Sequence, residues 1–173
     1  LTPWNFPAFL PARKLAPALA AGCSMILKAS EETPGTAVSL VRALSDAGLP
    51  EGVVNLVFGV PEEISEKLFA SDIVRKISFT GSVPVGKQLA GLASSGLKRC
   101  TFELGGHSPA IVCEDADLDT ALSTLTAFKF RNSGQVCIAP SRFFVHRCHY
   151  DSFVNGFVEA AKSQRLGDGL EEE

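Results

Sequence analysis

The most informative stretch of the sequence is KISFTGSVPVGKQLAGL, residues 76–92. Its first part, Lys76–Thr80, is a short run with Ile and Phe that is typical of a buried strand. Its last part, Pro84–Leu92, is a predicted helix that opens directly behind that strand. A strand that leads at once into a helix is the repeating unit of a parallel α/β sheet. This stretch therefore predicts an α/β fold.

The rest of the chain shows the same alternation of short β-branched runs with longer amphipathic ones, which predicts consecutive βα units. The predicted helix Pro34–Ala47 has signals at both ends, because Thr33 suits an N-cap, its proline suits the first helical position and Gly48 suits a C-terminal stop. We expect one continuous sheet up to about Leu97. The other predicted strands are Ser24–Leu27, Val53–Phe58, Ala110–Cys113 and Arg142–His146, and the other predicted helices are Pro11–Ala21, Asp117–Lys129 and Tyr150–Lys162.

The composition argues against several classes of protein. The chain has 173 residues, of which 46% are hydrophobic and 20% charged, and its net charge of −3 comes without the basic stripe of a nucleic-acid binder. No apolar run approaches the roughly 20 residues that span a bilayer, and no secretory signal is recognisable, so we expect a cytoplasmic protein that does not bind membranes. The five cysteines are scattered and odd in number, which favours neither a disulfide framework nor a metal site.

The link from Gly81 to Gly86 has two interpretations. Amides at a helix N-terminus can meet a phosphate, or the glycines can simply permit a tight turn, and the spacing alone does not separate the two. The run from Gly81 to Lys87 also matches G-x-x-x-x-G-K, the start of a P-loop, which makes a nucleotide-binding module the alternative function. Against it, Gln88 stands where a P-loop places a hydroxyl on Mg²⁺, and Pro84 removes a backbone donor.

Four motifs carry a resemblance to a known family. They are Thr2-Pro3-Trp4-Asn5-Phe6-Pro7, Phe79-Thr80-Gly81-Ser82, Phe102-Glu103-Leu104-Gly105-Gly106 and Gly134-Gln135-Val136-Cys137. Through them, in this order, the sequence resembles the aldehyde dehydrogenase superfamily over essentially its whole length. The resemblance implies a partial Rossmann-like coenzyme-binding domain over residues 1–103 that runs into the start of a catalytic domain over residues 104–173. It also implies that the chain is an internal piece of a longer, homo-oligomeric enzyme and that this piece is inactive when isolated.

The chemistry implied by the resemblance is thiol-mediated aldehyde oxidation. Cys137 matches the nucleophile, whose thiolate attacks the aldehyde to give a thiohemiacetal and, after hydride transfer to the nicotinamide, a thioester that water hydrolyses. Asn5 matches the amide that stabilises the oxyanion together with the backbone N–H of the cysteine. Glu103 matches the general base, and Lys14 matches an active-site lysine. The plainer alternatives are an inert buried thiol and solvated charged side chains.

The coenzyme contacts implied by the resemblance include two charged residues. Lys28 and Glu31 match positions that hold the adenosine ribose hydroxyls, and a carboxylate there repels a 2′-phosphate, so NAD is expected, with NADP possible. Ala29 departs from the family pattern, which has proline at this place. The other implied coenzyme contacts are Trp4, Thr80, Gly81, Ser82, Leu104 and Gly105, of which Gly81 and Ser82 match the pyrophosphate contact.

Two arginines narrow the expected substrate. Arg13 and Arg131 match arginines that grip the distal carboxylate in succinate-semialdehyde dehydrogenases, because planar guanidinium donors suit a carboxylate. An apolar aldehyde leaves two buried cations unpaired, which is costly. Ala139 departs from this subfamily, in which many members have a second cysteine there. The resemblance therefore implies a small aldehyde with a distal carboxylate, although either arginine could instead form a surface ion pair.

Overall fold

The computed structural model describes residues 1–170, and residues 171–173 lie outside the described part. The chain divides into two compact units, Leu1–Gly105 and Gly106–Glu173. In the described residues of both units, strands pair in parallel and a helix connects the two strands of each pair. This arrangement confirms the predicted α/β class.

The first unit consists of four helices that alternate with four strands, and all of its residues are described. Its elements are α1 (Phe9–Ala20), β1 (Met25–Lys28), α2 (Pro34–Asp46), β2 (Val54–Val57), α3 (Pro61–Ala70), β3 (Lys76–Gly81), α4 (Val83–Ser95) and β4 (Arg99–Leu104). Strand β1 pairs with β2, and β3 pairs with β4. Each pair thus forms a βαβ unit, with α2 or α4 as the crossover.

The first two residues of the chain link these two strand pairs. The amide of Thr2 donates to the carbonyl of Lys28 at 3.1 Å, and the amide of Thr80 donates to the carbonyl of Leu1 at 3.1 Å. The amino group of Leu1 also donates to the carbonyl of Ser78 at 2.8 Å. The expected continuous sheet is therefore two parallel pairs with the segment Leu1–Thr2 between them, a long-range arrangement that local periodicity does not reveal.

The core of the first unit lies on one face of β3. Ile77 and Phe79 of this strand are buried together with Phe69 of α3 and with Leu89 and Ala93 of α4. Because side chains alternate along a strand, the intervening residues of β3 lie on the opposite face. The apolar residues of β4 also pack against this core, so the core fixes β3 and β4 in register.

Two elements of the first unit are absent from the sequence-based prediction. Helix α3 begins at Pro61, carries acids at 62 and 63 in its first turn and Lys67 in its last turn, and is only 10 residues long. Strand β4 alternates polar and apolar residues because only one of its faces meets the core, so it lacks the apolar run expected of a parallel strand. The sheet, which was expected to end at about Leu97, therefore continues into this strand.

The second unit is a single βαβ unit followed by a helix. Its described elements are β5 (Ala110–Val112), α5 (Leu118–Phe130), a 3₁₀ turn (Arg131–Gly134), β6 (Phe143–Val145), a second 3₁₀ turn (Arg147–His149) and α6 (Tyr150–Lys162). Strand β5 pairs in parallel with β6. Four phenylalanines, Phe130, Phe143, Phe153 and Phe157, pack with ring centroids 5.0 to 5.9 Å apart and join α5 and α6 to β6.

The predicted helix ends agree with the structure where capping signals are strong. The helix α6 has the predicted bounds, and α2 begins at Pro34 and is followed by Gly48 at a φ of +88°. Thr33 occupies the N-cap position, but its side chain makes no capping hydrogen bond. Of the two predicted start signals of α2, only the proline at the first helical position therefore acts as expected. Within residues 1–170, no helix is long and apolar enough to cross a membrane.

Candidate active site

A cleft of about 210 Å³ opens in the first unit beside the carboxyl ends of β1 and β3. Clefts at this end of parallel strands are the usual ligand sites of α/β folds. The hydroxyl oxygens of Thr2 and Thr80 are buried there, and neither has a hydrogen-bond partner among the described residues. Buried polar atoms are normally satisfied, so these two oxygens are suited to a polar ligand. The cleft is lined by Leu1, Thr2, Pro3, Lys28, Ser30, Glu31, Pro61, Ser65, Phe79, Thr80, Gly81, Val85 and Leu89.

Two oppositely charged residues lie together in this cleft. The ammonium of Lys28, at the end of β1, forms an ion pair with the carboxylate of Glu31, and the Lys28 residue is only 8% exposed. Desolvation acts to raise the pKa of Glu31, but the hydrogen bond and the charge of Lys28 outweigh it, so the pKa of Glu31 is lowered. The cleft therefore presents an ionised carboxylate beside a buried ammonium, a pair that can bind vicinal hydroxyls by accepting and donating hydrogen bonds.

The link between β3 and α4 lies at another edge of the cleft. Gly81 and Gly86 do not have positive φ angles, so neither position needs the left-handed backbone that glycine allows. They permit close packing instead, because an added Cβ would lie 2.3 Å from the Phe79 ring at Gly81 and 2.8 Å from Leu104 at Gly86. Ser82 is the N-cap of α4, and its hydroxyl accepts a hydrogen bond from the amide of Val85 at 3.4 Å.

The remaining coenzyme residues expected from the motifs lie outside the cleft lining. Trp4 is 46% exposed and lies in the bend before α1, Ser82 caps α4, and Leu104 ends β4 with its side chain against Gly86. Gly105 follows as the last residue of the first unit. Of the eight residues expected at the coenzyme, the cleft thus brings together Lys28, Glu31, Thr80 and Gly81.

A second cluster of charged side chains lies on the face of β3 and β4 opposite the core. Lys14 of α1 donates a hydrogen bond to the hydroxyl of Ser78 at 2.8 Å. Partial burial lowers the pKa of Lys14, the charge of Glu103 opposes this effect, and the charges of Arg13 and Lys76 reinforce it. Glu103, the expected general base, is exposed in the described chain. Asn5, the expected oxyanion donor, is half-buried in the bend that precedes α1.

Cys137 lies in the second unit, in a turn that follows an unusual backbone segment. Asn132, Ser133 and Gly134 have φ angles of +50°, +54° and +77°, and left-handed backbone is costly for residues other than glycine. Such strain is often found at functional sites. The turn itself is closed by the amide of Ala139, which donates to the carbonyl of Val136 at 3.0 Å. The Cys137 thiol is free and exposed in the described chain.

The two arginines expected to bind the substrate lie in different units. Arg13 is on α1, and its guanidinium lies 6.0 Å from the centre of the Phe9 ring. Arg131 follows the last residue of α5 as its C-cap. Both are exposed in the described residues, so the argument that an apolar aldehyde would leave two buried cations does not apply to the chain as described.

Three site residues escaped the sequence-based prediction. Ser78, which accepts the hydrogen bond of Lys14, lies two residues before Thr80 on the same face of β3, and this spacing was the available signal. Thr2 belongs to the first of the four motifs but was given no role, Ser65 belongs to none of them, and both line the cleft. Across residues 1–170, no three His, Cys, Asp or Glu side chains come close enough together to hold a metal ion.

A comparison with protein-family models now identifies the family. The model described as "Aldehyde dehydrogenase family" matches residues 1–173. The chain belongs to the aldehyde dehydrogenase family. This confirms the resemblance drawn from the four motifs.

Individual relatives of this family member carry several names. The chain is 54% identical over 169 residues to 4-(hydroxymethyl)benzenesulfonate dehydrogenase TsaD1 of Comamonas testosteroni, which covers 98% of the chain and 35% of the relative. It is 45% identical to the mitochondrial succinate-semialdehyde dehydrogenase of Oryza sativa subsp. japonica, over 99% of the chain and 33% of the relative. The chain thus spans about a third of the length of the curated relatives that it matches.

Two solved structures share the fold of the chain at 40 to 44% identity. An NADP-dependent enzyme of E. coli superposes with a TM-score of 0.95 at 44% identity, over 98% of the chain and 35% of the solved one. The enzyme PnpE in complex with nicotinamide adenine dinucleotide superposes with a TM-score of 0.93 at 40% identity, over 98% and 35% of the two chains. Similarity at this level confirms the Rossmann-type α/β architecture of the chain.

Proposed function

We propose that the protein carrying this chain oxidises an aldehyde to a carboxylic acid with NAD or NADP, and that its substrate bears a negatively charged group distant from the aldehyde. The observation that carries the proposal is the cleft at the ends of β1 and β3 in a chain of this family. It contains the Lys28–Glu31 ion pair and two buried hydroxyls that have no hydrogen-bond partner among residues 1–170. The alternative of a P-loop module has no comparable support.

The residues of the cleft fit a dinucleotide. The carboxylate of Glu31 accepts and the ammonium of Lys28 donates hydrogen bonds, which suits the two hydroxyls of a ribose. The N-terminus of α4, a helix of 13 residues, lies beside Gly81 and suits a pyrophosphate through its positive dipole end. When bound, the nicotinamide coenzyme accepts the hydride that leaves the substrate carbon. Relatives that use or bind NAD and NADP support this assignment.

The chemical step is assigned to residues of this chain. The thiolate of Cys137 forms a bond to the aldehyde carbon, and the amide of Asn5 and the backbone N–H of Cys137 donate hydrogen bonds to the oxyanion. The loss of hydride from this adduct leaves a thioester, and Glu103 accepts a proton from the water that hydrolyses it, which releases the acid and restores the thiolate. Lys14 carries a positive charge on the Glu103 face of the β3–β4 pair. The exposed thiol of Cys137 supports this assignment.

Arg13 and Arg131 are assigned to the distal anion of the substrate. A guanidinium binds a carboxylate through two parallel hydrogen bonds, and each charged hydrogen bond contributes about 1.5–3 kcal/mol. Relatives named as succinate- and glutarate-semialdehyde dehydrogenases, at 44 to 47% identity, support a carboxylate as this anion. The primary candidate is therefore a semialdehyde such as succinate semialdehyde.

An aromatic sulfonate is the second candidate. Relatives that are 54% identical carry the name 4-(hydroxymethyl)benzenesulfonate dehydrogenase. A sulfonate can accept two hydrogen bonds from a guanidinium through two of its three oxygens. Phe9, next to Arg13 and 58% exposed, offers an aromatic surface to the ring of such a substrate.

The proposal is tested by comparing three aldehydes with the complete protein. Succinate semialdehyde, 4-formylbenzenesulfonate and propanal are each supplied with NAD or NADP, and the appearance of reduced coenzyme is followed by absorbance. We expect kcat/KM for one of the two anionic aldehydes to exceed that for propanal by about a hundredfold. Equal values for the anionic and the neutral aldehydes would refute the distal-anion assignment.

A variant pair separates substrate binding from general effects of charge. Arg13→Met should lower kcat/KM for the preferred anionic aldehyde by about 10- to 100-fold and leave the value for propanal within about twofold. The control is Arg42→Met, which removes an exposed arginine on α2 outside the cleft lining. If both variants have the same effect on the anionic aldehyde, Arg13 does not bind the anion.

A further inference from the structure

The hydrogen bond between Lys14 and Ser78 joins residues 64 positions apart in the sequence. Lys14 lies on α1, and its ammonium donates to the Ser78 hydroxyl at 2.8 Å in a partly buried setting. Lysine has four rotatable side-chain bonds, so a single geometry of its ammonium requires an anchor. Ser78 provides the hydrogen-bond acceptor that the structure records for this ammonium.

The strand register explains why this anchor is directed toward the general base. Ser78 pairs with Thr101, and Thr80 pairs with Glu103, in the parallel register of β3 and β4. Paired residues lie on the same face of a sheet, and alternate residues of one strand share a face. The face that carries Ile77 and Phe79 meets the core, so Ser78 and Glu103 both lie on the opposite face, where Lys14 binds.

The charges around Lys14 come from three elements. Arg13 is its neighbour on α1, Lys76 lies on β3, and Glu103 lies on β4. Two of these three groups are cationic and repel the Lys14 ammonium. The Ser78 hydroxyl therefore holds the ammonium in a half-buried position that neither solvation nor most of the surrounding charge favours.

We propose that Ser78 is a positioning residue that holds the Lys14 ammonium on the Glu103 face of the β3–β4 pair, and that it influences aldehyde oxidation only through Lys14. The inference rests on the proposed function. Ser78 itself does not touch substrate or coenzyme in this account. Without its hydroxyl, the lysine side chain should turn toward water, since a lysine without an anchor keeps its charged head in solvent.

A double-mutant cycle in the complete protein tests the proposal. Ser78→Ala should lower kcat for aldehyde oxidation by about tenfold and change KM for the coenzyme by less than about twofold. In a Lys14→Met background, the same substitution should change kcat by less than about twofold, because the residue on which it acts is gone. Equal losses in both backgrounds would overturn the proposal and indicate a structural role independent of Lys14.

Two further variants guard against misfolding. Ser78→Thr keeps the hydroxyl and should retain kcat within about threefold of the wild type, as expected if the hydroxyl alone matters. Ser95→Ala removes an exposed serine of α4 whose hydroxyl donates only to its own helix, and it should behave as the wild type. A Thr variant as slow as the Ala variant, with unchanged circular dichroism, contradicts the role assigned to the hydroxyl.

A measurement without turnover separates failure of this inference from failure of the proposed function. The pH dependence of Lys14 acetylation by acetic anhydride is followed by peptide mass spectrometry, and each curve is scaled to its own plateau at high pH. Ser78→Ala should shift the half-plateau pH upward by about half a pH unit or more, toward that of a solvated lysine. An unchanged curve refutes the positioning role even in a protein that oxidises no aldehyde, whereas a shifted curve in such a protein refutes only the proposed reaction.

Discussion

Lys28 and Glu31 form an ion pair at the carboxyl end of β1, with the Lys28 side chain 10% exposed and the Glu31 side chain 43% exposed. The ammonium is thus held in place by its burial, whereas the carboxylate faces the cleft and solvent. Because half of the pair is exposed, its contribution to stability is at most about 1 kcal/mol. Its main effect is to fix a negative charge in the candidate coenzyme site.

The charge of Glu31 predicts the choice of coenzyme. Glu31→Gln removes the repulsion of a 2′-phosphate, so the ratio of kcat/KM for NAD to that for NADP should fall by about tenfold. Steady-state kinetics with both coenzymes measures this ratio. The matched control is Glu32→Gln, an exposed acid outside the cleft lining, which should leave the ratio within about twofold. A ratio that is unchanged by Glu31→Gln would mean that this carboxylate does not face the ribose.

Asp117 predicts a dependence of stability on pH in the second unit. The amide of Thr120 donates to the Asp117 carboxylate at 2.7 Å, and this hydrogen bond lowers the pKa of Asp117 below its ordinary value of 3.8. A lowered carboxyl pKa stabilises the folded chain above pH 3.8, and this contribution is lost as the pH falls through the folded-state pKa. The urea concentration at which half of the protein is unfolded should be higher for the wild type than for Asp117→Ala at about pH 7. This difference should become smaller when the pH is lowered to about 3. Asp119→Asn, in the same helical turn, controls for the loss of charge, and a difference that widens on acidification contradicts the prediction.

Two glycines of α4 predict opposite effects of the same substitution. Gly86→Ala should destabilise the first unit by about 1–3 kcal/mol, because the new Cβ would lie 2.8 Å from Leu104 and force that side chain to move. Gly91→Ala should stabilise it by about 0.5–1 kcal/mol, since nothing lies within 4 Å of the added Cβ and alanine favours a helix. Urea denaturation followed by circular dichroism measures both changes. Equal changes in the two variants would mean that α4 does not pack on β4 as described.

The local signals in the sequence were sufficient to predict most helices and strands. Helix α6 has the predicted ends, and α2 begins at the predicted Pro34, because apolar periodicity and proline or glycine at the ends act within a few residues. Strand β4 was missed because one of its faces is exposed in the first unit and its residues alternate, whereas the other strands have short apolar runs. The class of fold thus follows from the local sequence pattern. Strand β4 could not be predicted in this way, because its alternating residues reflect which of its faces meets the core.

The candidate site was predictable only where a motif carries it. Lys28 and Glu31 belong to one motif and form an ion pair, because they are only three residues apart in the sequence. The bond between Lys14 and Ser78 spans 64 residues, and the hydrogen bonds of Leu1 and Thr2 to two separate strands depend on the tertiary fold. No periodicity encodes such contacts, so they required the structure. The roles of Cys137 and of the two arginines remain predictions from the motifs.

The central claim, that Cys137 is acylated during aldehyde oxidation, is tested most directly by trapping the thioester. The complete protein is mixed with coenzyme and the preferred anionic aldehyde, quenched in acid during turnover, digested and analysed by mass spectrometry. We expect an added acyl group on the peptide that contains Cys137 and no such adduct on the other four cysteines. In Cys137→Ala we expect neither the adduct nor reduced coenzyme. Wild-type turnover without acylation of Cys137, or undiminished turnover in Cys137→Ala, would contradict the central claim.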